Sequence, residues 1–358
     1  VSNLGFVTPF VISNTGYGLK SLTFGIAINK LNNFSSRSYS YGVNESSSWL
    51  SAVADGLYGV NNANLDITND WNPFYDFPEA TWREILAWNS NLLDPLSQNE
   101  YISATENIQG DMIVHAGALG QEFFREQKGS LSEVLSDKLF LGANLGVQSL
   151  EFNDYQRYSE SAQNPSLFDS KFSGFTHLFR QTSSGVGLNF KLGVIAIPFE
   201  GFRLGASLAT PTWLFLKDTW DETIDARYSD GYKSEILSPI GEYNYRVNTP
   251  FRWNIGASYV FGKIGLLSID YEGADYSNVK MLSEDGDDRD FRATNNYISG
   301  NFRTAYTIRA GAEVRPIPGF ALRAGYTKYG NPEKTLGYES EYISGGLGFS
   351  SSAGIFLD

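Results

Sequence analysis

Between Phe251 and Phe261 every second residue is apolar. Phe251, Trp253, Ile255, Ala257, Tyr259 and Phe261 alternate with Arg252, Asn254, Gly256 and Ser258. A two-residue period sends the two sets to opposite faces of a strand. The alternation recurs in Leu22, Phe24, Ile26 and Ile28, in Leu139, Leu141, Leu145 and Val147, and in Val186, Leu188, Phe190, Leu192 and Val194. It predicts strands over 4–12, 18–33, 105–127, 138–158, 174–197, 201–217, 243–262, 264–279, 297–316, 319–329, 340–349 and 352–358.

The connections alternate as well. Short turns are expected at Asn14-Thr15-Gly16, Pro198-Phe199-Glu200-Gly201, Gly262-Lys263, Pro316-Ile317-Pro318-Gly319 and Ser350-Ser351. Glycine supplies the unusual backbone angles, and proline sits where no ladder donor is lost. Long connections fall at 34–104, 159–173, 218–242, 280–296 and 330–339. The stretch 128–137 reads as a connection on the short-turn side. Short turns at one end, long loops at the other and one apolar face predict an antiparallel transmembrane β-barrel. A soluble sandwich alternates too, but it gives no reason for this loop asymmetry. The expected organisation is a single all-β barrel domain over residues 1–358, with about 12 strands visible in this sequence.

On the opposite face the alternation collects Asn144, Gln148, Asn189, Lys191, Arg203, Arg252, Asp270, Glu272, Arg303, Arg309, Glu313 and Arg323. Arg303, Arg309 and Arg323 are placed to pair across the wall with Asp270, Glu272 and Glu313. Lys191, Arg203, Arg252, Arg309 and Arg323 are also the cations available to meet an anionic group on a ligand.

The 34–104 connection carries helical periods of its own. Trp49, Leu50, Val53 and Leu57 lie at helical spacing, and so do Trp82, Ile85, Leu86, Leu92 and Leu93. Asp76 with Glu79, or Thr81 with Glu84, supplies a capping box for the second helix, which stops before Pro95. Loops of this length with their own elements are commonly lids or binding segments. Two readings stay open: the stripes pack on each other and on the rim, or Trp49, Trp82, Ile85, Leu86 and Leu93 form an apolar landing site.

Composition narrows the classes further. Phe, Tyr and Trp make up 15% of 358 residues, as suits aromatic girdles, and no cysteine is present for disulfide or thiol chemistry. No run reaches the roughly 18 apolar residues of a membrane helix, which a barrel does not need. The net charge of −13 disfavours a nucleic-acid partner. Much of the acid sits in Glu284-Asp285-Gly286-Asp287-Asp288-Arg289-Asp290, either a solvated tip or a cation bridge to anionic outer-leaflet lipid. Val1 opens inside a strand-like segment, as expected of a mature chain without its leader. The two histidines, His115 and His177, have no nucleophile motif beside them, and no metal-ligand spacing occurs. Neither an enzyme nor a cofactor or metal site is expected.

Three stretches resemble the FadL family (the OmpP1/FadL/TodX group) of outer-membrane transporters for long-chain fatty acids and other hydrophobic compounds. The first runs through Asn189-Phe190-Lys191-Leu192-Gly193-Val194, Gly201-Phe202-Arg203-Leu204-Gly205 and Thr210-Pro211. The second holds Thr249-Pro250-Phe251-Arg252, Ile255-Gly256-Ala257-Ser258-Tyr259 and Ile269-Asp270-Tyr271-Glu272. The third holds Ile308-Arg309-Ala310-Gly311-Ala312-Glu313-Val314-Arg315-Pro316 and Leu322-Arg323-Ala324-Gly325-Tyr326. Together they cover about half the chain, mostly residues 185–335.

The resemblance implies a monomeric bacterial outer-membrane barrel of about 14 strands with an N-terminal plug, whose Asn-Pro-Ala signature has no counterpart here. It further implies passive transport of fatty acids or similar hydrophobic molecules from a loop groove into the barrel. Outer-membrane lipid and lipopolysaccharide would be its surroundings. A general porin and a structural or secretion-associated barrel that binds partner proteins are the competing readings.

Overall fold

The computed structural model describes residues 3–12, 21–138, 141–350 and 356–357. The turn expected at 14–16, Leu139 and Ser351 lie outside the described residues. The chain begins with β1 (Asn3–Val11), β2 (Ser21–Asn33) and β3 (Ser36–Asn44). A cap follows: α1 (Trp49–Gly56), α2 (Pro73–Asp76), α3 (Trp82–Asn89) and the hairpins β4 (Leu93–Ser97) with β5 (Glu100–Ser103) and β6 (Glu106–Gln109) with β7 (Met112–His115). Three long strands come next, β8 (Leu119–Lys138), β9 (Leu141–Ala162) and β10 (Phe172–Phe199). Then come β11 (Phe202–Ala209), β12 (Trp213–Tyr228), β13 (Lys233–Leu237), β14 (Gly241–Asn248), β15 (Arg252–Phe261), β16 (Gly265–Asp275) and β17 (Lys280–Ser283). After α4 (Arg292–Asn301), the chain ends with β18 (Thr304–Ile317), β19 (Phe320–Tyr329), β20 (Ser340–Ser350) and β21 (Phe356–Leu357).

All strands except the two cap hairpins join one antiparallel sheet of 17 strands. Several of them are halves of one interrupted course. β8 pairs with β2 over its second half and with β3 over its first. β10 pairs with β12 up to Leu188 and with β11 from Lys191. β14 with β15, and β16 with β17, continue the same split. Counted as courses, most of the predicted strands are present. The stretch 105–127 is not one strand: 106–115 forms a cap hairpin, and β8 starts only at Leu119. Ser36–Asn44, within the expected 34–104 connection, is strand, and 352–358 lies largely outside the described residues. Among the described residues no ladder joins β1 to β20 or β21.

Three neighbouring courses break at one level, at 210–212, 249–251 and 276–279. Pro211 and Pro250 cannot donate to a ladder, so the strands must stop there. Threonines replace part of what is lost. Thr212 N donates to Thr249 Oγ1 at 2.8 Å and Phe190 N to Thr210 Oγ1 at 3.0 Å.

The faces separate as the alternation predicts. Val186, Leu188, Phe190, Leu192 and Val194 are exposed on the outer face, in register with Leu145, Val147, Trp213 and Phe215. One row above Val186–Phe215 the outer face turns polar. There Lys217 pairs with Glu242 at 2.9 Å and Arg180 with Asp221 at 3.8 Å, while Arg157 meets Glu122 and Arg37 meets Glu126. This polar part is a collar above the apolar band, and it rises only along the courses from β3 to β14. β19 and β20, of 10 and 11 residues, match the ~9–11 that a tilted strand needs to cross a bilayer, and β18, of 14, exceeds it by a few residues.

Three further sequence expectations are corrected. The 128–137 stretch is strand, because β8 continues to Lys138 in register with β9. Residues 297–301 belong to α4, where Asn295 holds Met281 through both amide atoms at 2.8 Å and so clamps the helix to β17. The long connection 218–242 is mostly extended strand, whereas 159–173 is strand only at its two ends, with a 3-10 turn at Pro165–Leu167 between them.

Candidate functional site

The cap sits on the inner face of the collar, and its core is shared with the wall. Leu50, Leu57, Leu65, Ile85, Leu86 and Leu92 are fully buried together with Phe172, Phe175 and Ile224 from β10 and β12. Local sequence sets the cap helices. Ser48 caps α1 through its hydroxyl to Leu50 N, and α3 starts at the Thr81–Glu84 capping box, with Thr81 N donating to Glu84 Oε2 at 2.6 Å.

One side chain ties this cap to the wall. The Glu160 carboxylate on β9 is completely buried and accepts four hydrogen bonds. They come from Ser48 Oγ at 2.5 Å, Trp49 N at 2.8 Å, Gln121 Nε2 at 2.8 Å and Tyr158 OH at 2.7 Å. An anion at the start of a helix also meets its unpaired N–H groups and positive dipole end. Beneath Trp49 lies a second polar pair, His177 Nε2 and Glu222 Oε2 at 2.7 Å. The Trp49 ring stacks on His177 at 5.2 Å and on Phe175 at 5.5 Å.

The residues proposed for an apolar landing site therefore divide. Ile85, Leu86 and Leu93 are buried in the cap core. Trp49 and Trp82 are half-buried, with Trp82 between Phe74 at 5.6 Å and Trp220 at 5.5 Å. The nearby aromatic group Tyr243, Tyr245 and Phe291, with ring centroids about 6 Å apart, was not singled out from the sequence. Only the two-residue spacing of the tyrosines hinted at it.

The inner-face cations divide too. Arg309 donates to Asp270 at 2.9 Å and to Glu272 at 3.1 Å, Arg252 reaches Glu272 at 3.5 Å, and Arg323 pairs with Glu313 at 2.7 Å. Arg303 instead donates from Nε to the Asn331 carbonyl at 3.1 Å. Lys191 stands in register with Asn144. Arg203, exposed and in register with Ser258, carries no ion pair among the described residues. These fixed pairs hold neighbouring strands, and Arg203 is the cation left available.

Below the broken level the inner face opens into a cavity of about 450 Å³, lined by Thr23, Gly142, Gly193, Ile195, Gly205, Ser207 and Asn254. The sequence signal for it was available, since its glycines fall on the inward parity of their strands. Among the described residues no group of acidic or histidine side chains has metal-site geometry.

Tyr101 gives the cap an alkaline limit. Its hydroxyl donates to Val60 O at 2.9 Å, and burial, aided by the Asp66 charge, pushes its pKa up to about 12. A raised tyrosine pKa favours folding fully below the unfolded value near 10, and that contribution is lost as pH rises toward 12. Tryptophan fluorescence and tyrosinate absorbance should therefore report loosening of the cap between about pH 10 and 12. Tyr101→Phe should remove that step; a step of equal size in the variant would assign the transition elsewhere.

No family model and no curated protein matches this chain. Among solved structures it is similar to the CymD monoaromatic hydrocarbon channel, at 11% identity and a TM-score of 0.38 over 98% of this chain and 78% of that one. It is similar to the Pseudomonas putida toluene transporter TodX at 12% and 0.34, over 98% and 78%. The Ralstonia pickettii toluene transporter TbuX follows at 12% and 0.33, over 97% and 78%. These likenesses are too loose to carry a functional argument.

Proposed function

We propose that this chain is an outer-membrane barrel that lets hydrophobic small molecules cross passively. One observation carries the reading: an apolar outer band backs a polar inner face whose outer end is covered by a packed aromatic cap. The band suits lipid, the collar suits the sugar-rich outer leaflet and its lipopolysaccharide, and the cap gives solutes an apolar entry. A monomer suffices for this path. Burial contributes about 25 cal/mol per Å² of apolar surface, so an apolar solute needs few polar contacts to bind. Toluene and a medium-chain fatty acid are the first solutes to try. For the fatty acid, Arg203 is the cation free to receive the carboxylate.

Uptake by whole Gram-negative cells, with and without this protein, tests the proposal. Equal uptake of both solutes by the two strains would sink it. A general porin should conduct ions openly in planar bilayers, whereas a capped barrel should be nearly silent. At the mouth, Trp82→Glu should lower apolar-solute uptake about tenfold, the equivalent of ~1.4 kcal/mol of binding, while the barrel still folds. Unchanged uptake would remove Trp82 from the entry path.

A further inference from the structure

Aromatic side chains on the outer face of a barrel gather where hydrocarbon meets the headgroups. Four rings here stand well above that boundary. On β9, Val147 ends the apolar band, and Ser149, Glu151 and Asn153 separate it from Tyr155 on the same face. At about 3.4 Å per residue along a strand tilted by roughly 40°, that step raises Tyr155 about 20 Å above the band. Tyr39 and Tyr41 on β3 and Phe124 on β8 stand beside it. Tyr39 lies opposite Phe124, and the Phe124 and Tyr155 rings meet edge-on at 6.1 Å. The tyrosines of β3 are exposed, whereas Phe124 and Tyr155 are half-buried. Neither hydrocarbon nor a protein core accounts for rings at this height. On β10 and β12 the outer face above the band holds Ser184, Thr182, Lys217 and Thr219 instead. The rings belong to one sector of the collar.

Charge is fixed around them. Glu126 holds Arg37 and Glu122 holds Arg157, yet the two arginines stay 69% and 43% exposed. A guanidinium pinned on one side presents its remaining N–H groups in a set direction, and its planar fork suits carboxylate and phosphate oxygens. Lower down, Lys30 follows Ile26 and Ile28 on the outer face of β2, at the upper edge of the band. It is exposed and carries no ion pair among the described residues. From the membrane outward, this sector therefore reads apolar, cationic, small and polar, then aromatic with arginine. Lipopolysaccharide has the same order: acyl chains, phosphates, then a core of sugars that carry further acidic groups.

We propose that the outer face of β3, β8 and β9 is a docking surface for the core oligosaccharide of lipopolysaccharide. Tyr39 and Tyr155 offer ring faces to the C–H faces of its sugars, while Arg37 and Arg157 take its acidic groups. Lys30 meets a phosphate at the lipid boundary. The height of the patch places it against sugars beyond the innermost ones. The proposal rests on the membrane placement in the transport reading, not on the passage of any solute.

The test compares two lipopolysaccharides bound to the purified full chain in detergent micelles, read by native mass spectrometry. One carries a complete core, and the other is truncated after its two innermost acidic sugars. The wild type should hold the complete form about tenfold more tightly, a difference of ~1.4 kcal/mol. Tyr39→Ser and Tyr155→Ser should each erase most of that preference and leave the truncated form bound as before. Lys30→Gln should weaken both forms alike and keep the preference. Tyr338→Ser, at an exposed tyrosine between β19 and β20, is the control and should change neither. Heat-modifiable migration in gels confirms that each barrel is folded. Equal affinity of the wild type for the two forms, or a preference kept by either variant of Tyr39 or Tyr155, would overturn the proposal. Unaltered binding by Lys30→Gln would overturn the phosphate contact. Uptake of apolar solutes is measured separately, so a barrel that transports without this patch is distinguishable from one that does not transport.

Discussion

Arginine in place of Phe190 is expected to destabilise the folded barrel by about 2–4 kcal/mol, the cost of a cation on the lipid face near mid-membrane. Phe190 is exposed on the outer face, in register with Leu145 and flanked along its strand by Leu188 and Leu192. Among the described side chains its ladder neighbours on this face are apolar, and the apolar band continues along the strand on both sides of it. The comparison that gives the number its meaning is Ser184→Arg. Ser184 is also exposed, but it lies above the band in register with Glu151 and Lys217. That change should stay within about 0.5 kcal/mol, as surface substitutions generally do. Urea unfolding of the two variants in phospholipid vesicles reads the difference directly. Equal costs would mean that the Val186–Val194 face does not meet hydrocarbon.

Depth dependence of this kind follows from the feature most legible in the sequence. Period-two alternation survives translation into structure because it is enforced at every residue of a strand by geometry alone. Hence the strand courses, the outer face of β10 and the Arg309–Asp270 and Arg323–Glu313 pairs are all readable from spacing. The Thr81–Glu84 capping box is readable for the same reason, since both partners lie within one helical turn.

What could not be read are the choices made by distant partners. Residues 128–137 are polar enough to pass for a loop, and they are strand only because β9 supplies a ladder for their whole length. Residues 297–301 read as the start of a strand, yet they complete α4, which the Asn295 clamp on Met281 fastens to β17. Ile85, Leu86 and Leu93 looked equally suited to a ligand and to a core, and only the arrival of Phe172, Phe175 and Ile224 distinguishes the two. Pro211 and Pro250 were visible, but that their strands are neighbours, and so break at one level, is a fact of pairing.

Glu160 is the extreme case of a role set at long range, and its removal should have the second large effect. Glu160→Ala deletes the acceptor shared by Ser48, Trp49 N, Gln121 and Tyr158, which lie up to 112 residues away in sequence. A buried donor left without a partner costs about 1–3 kcal/mol, so a docked cap with several cannot keep its place. The cap escapes that cost by lifting off the collar, where water satisfies the donors. Docking should weaken by about 3 kcal/mol, seen as a roughly hundredfold loss of hydrogen-exchange protection at the α1 amides. The wall ladders do not involve this carboxylate, so exchange in β15, β16 and β18 should not change. Glu160→Gln keeps one acceptor oxygen but adds two donors facing donors, and it should fall between the alanine variant and the wild type. In planar bilayers the alanine variant should convert a nearly silent barrel into one with frequent openings. Unaltered α1 protection in both variants would show that the shared apolar core alone holds the cap, and the carboxylate would then be a passenger in it.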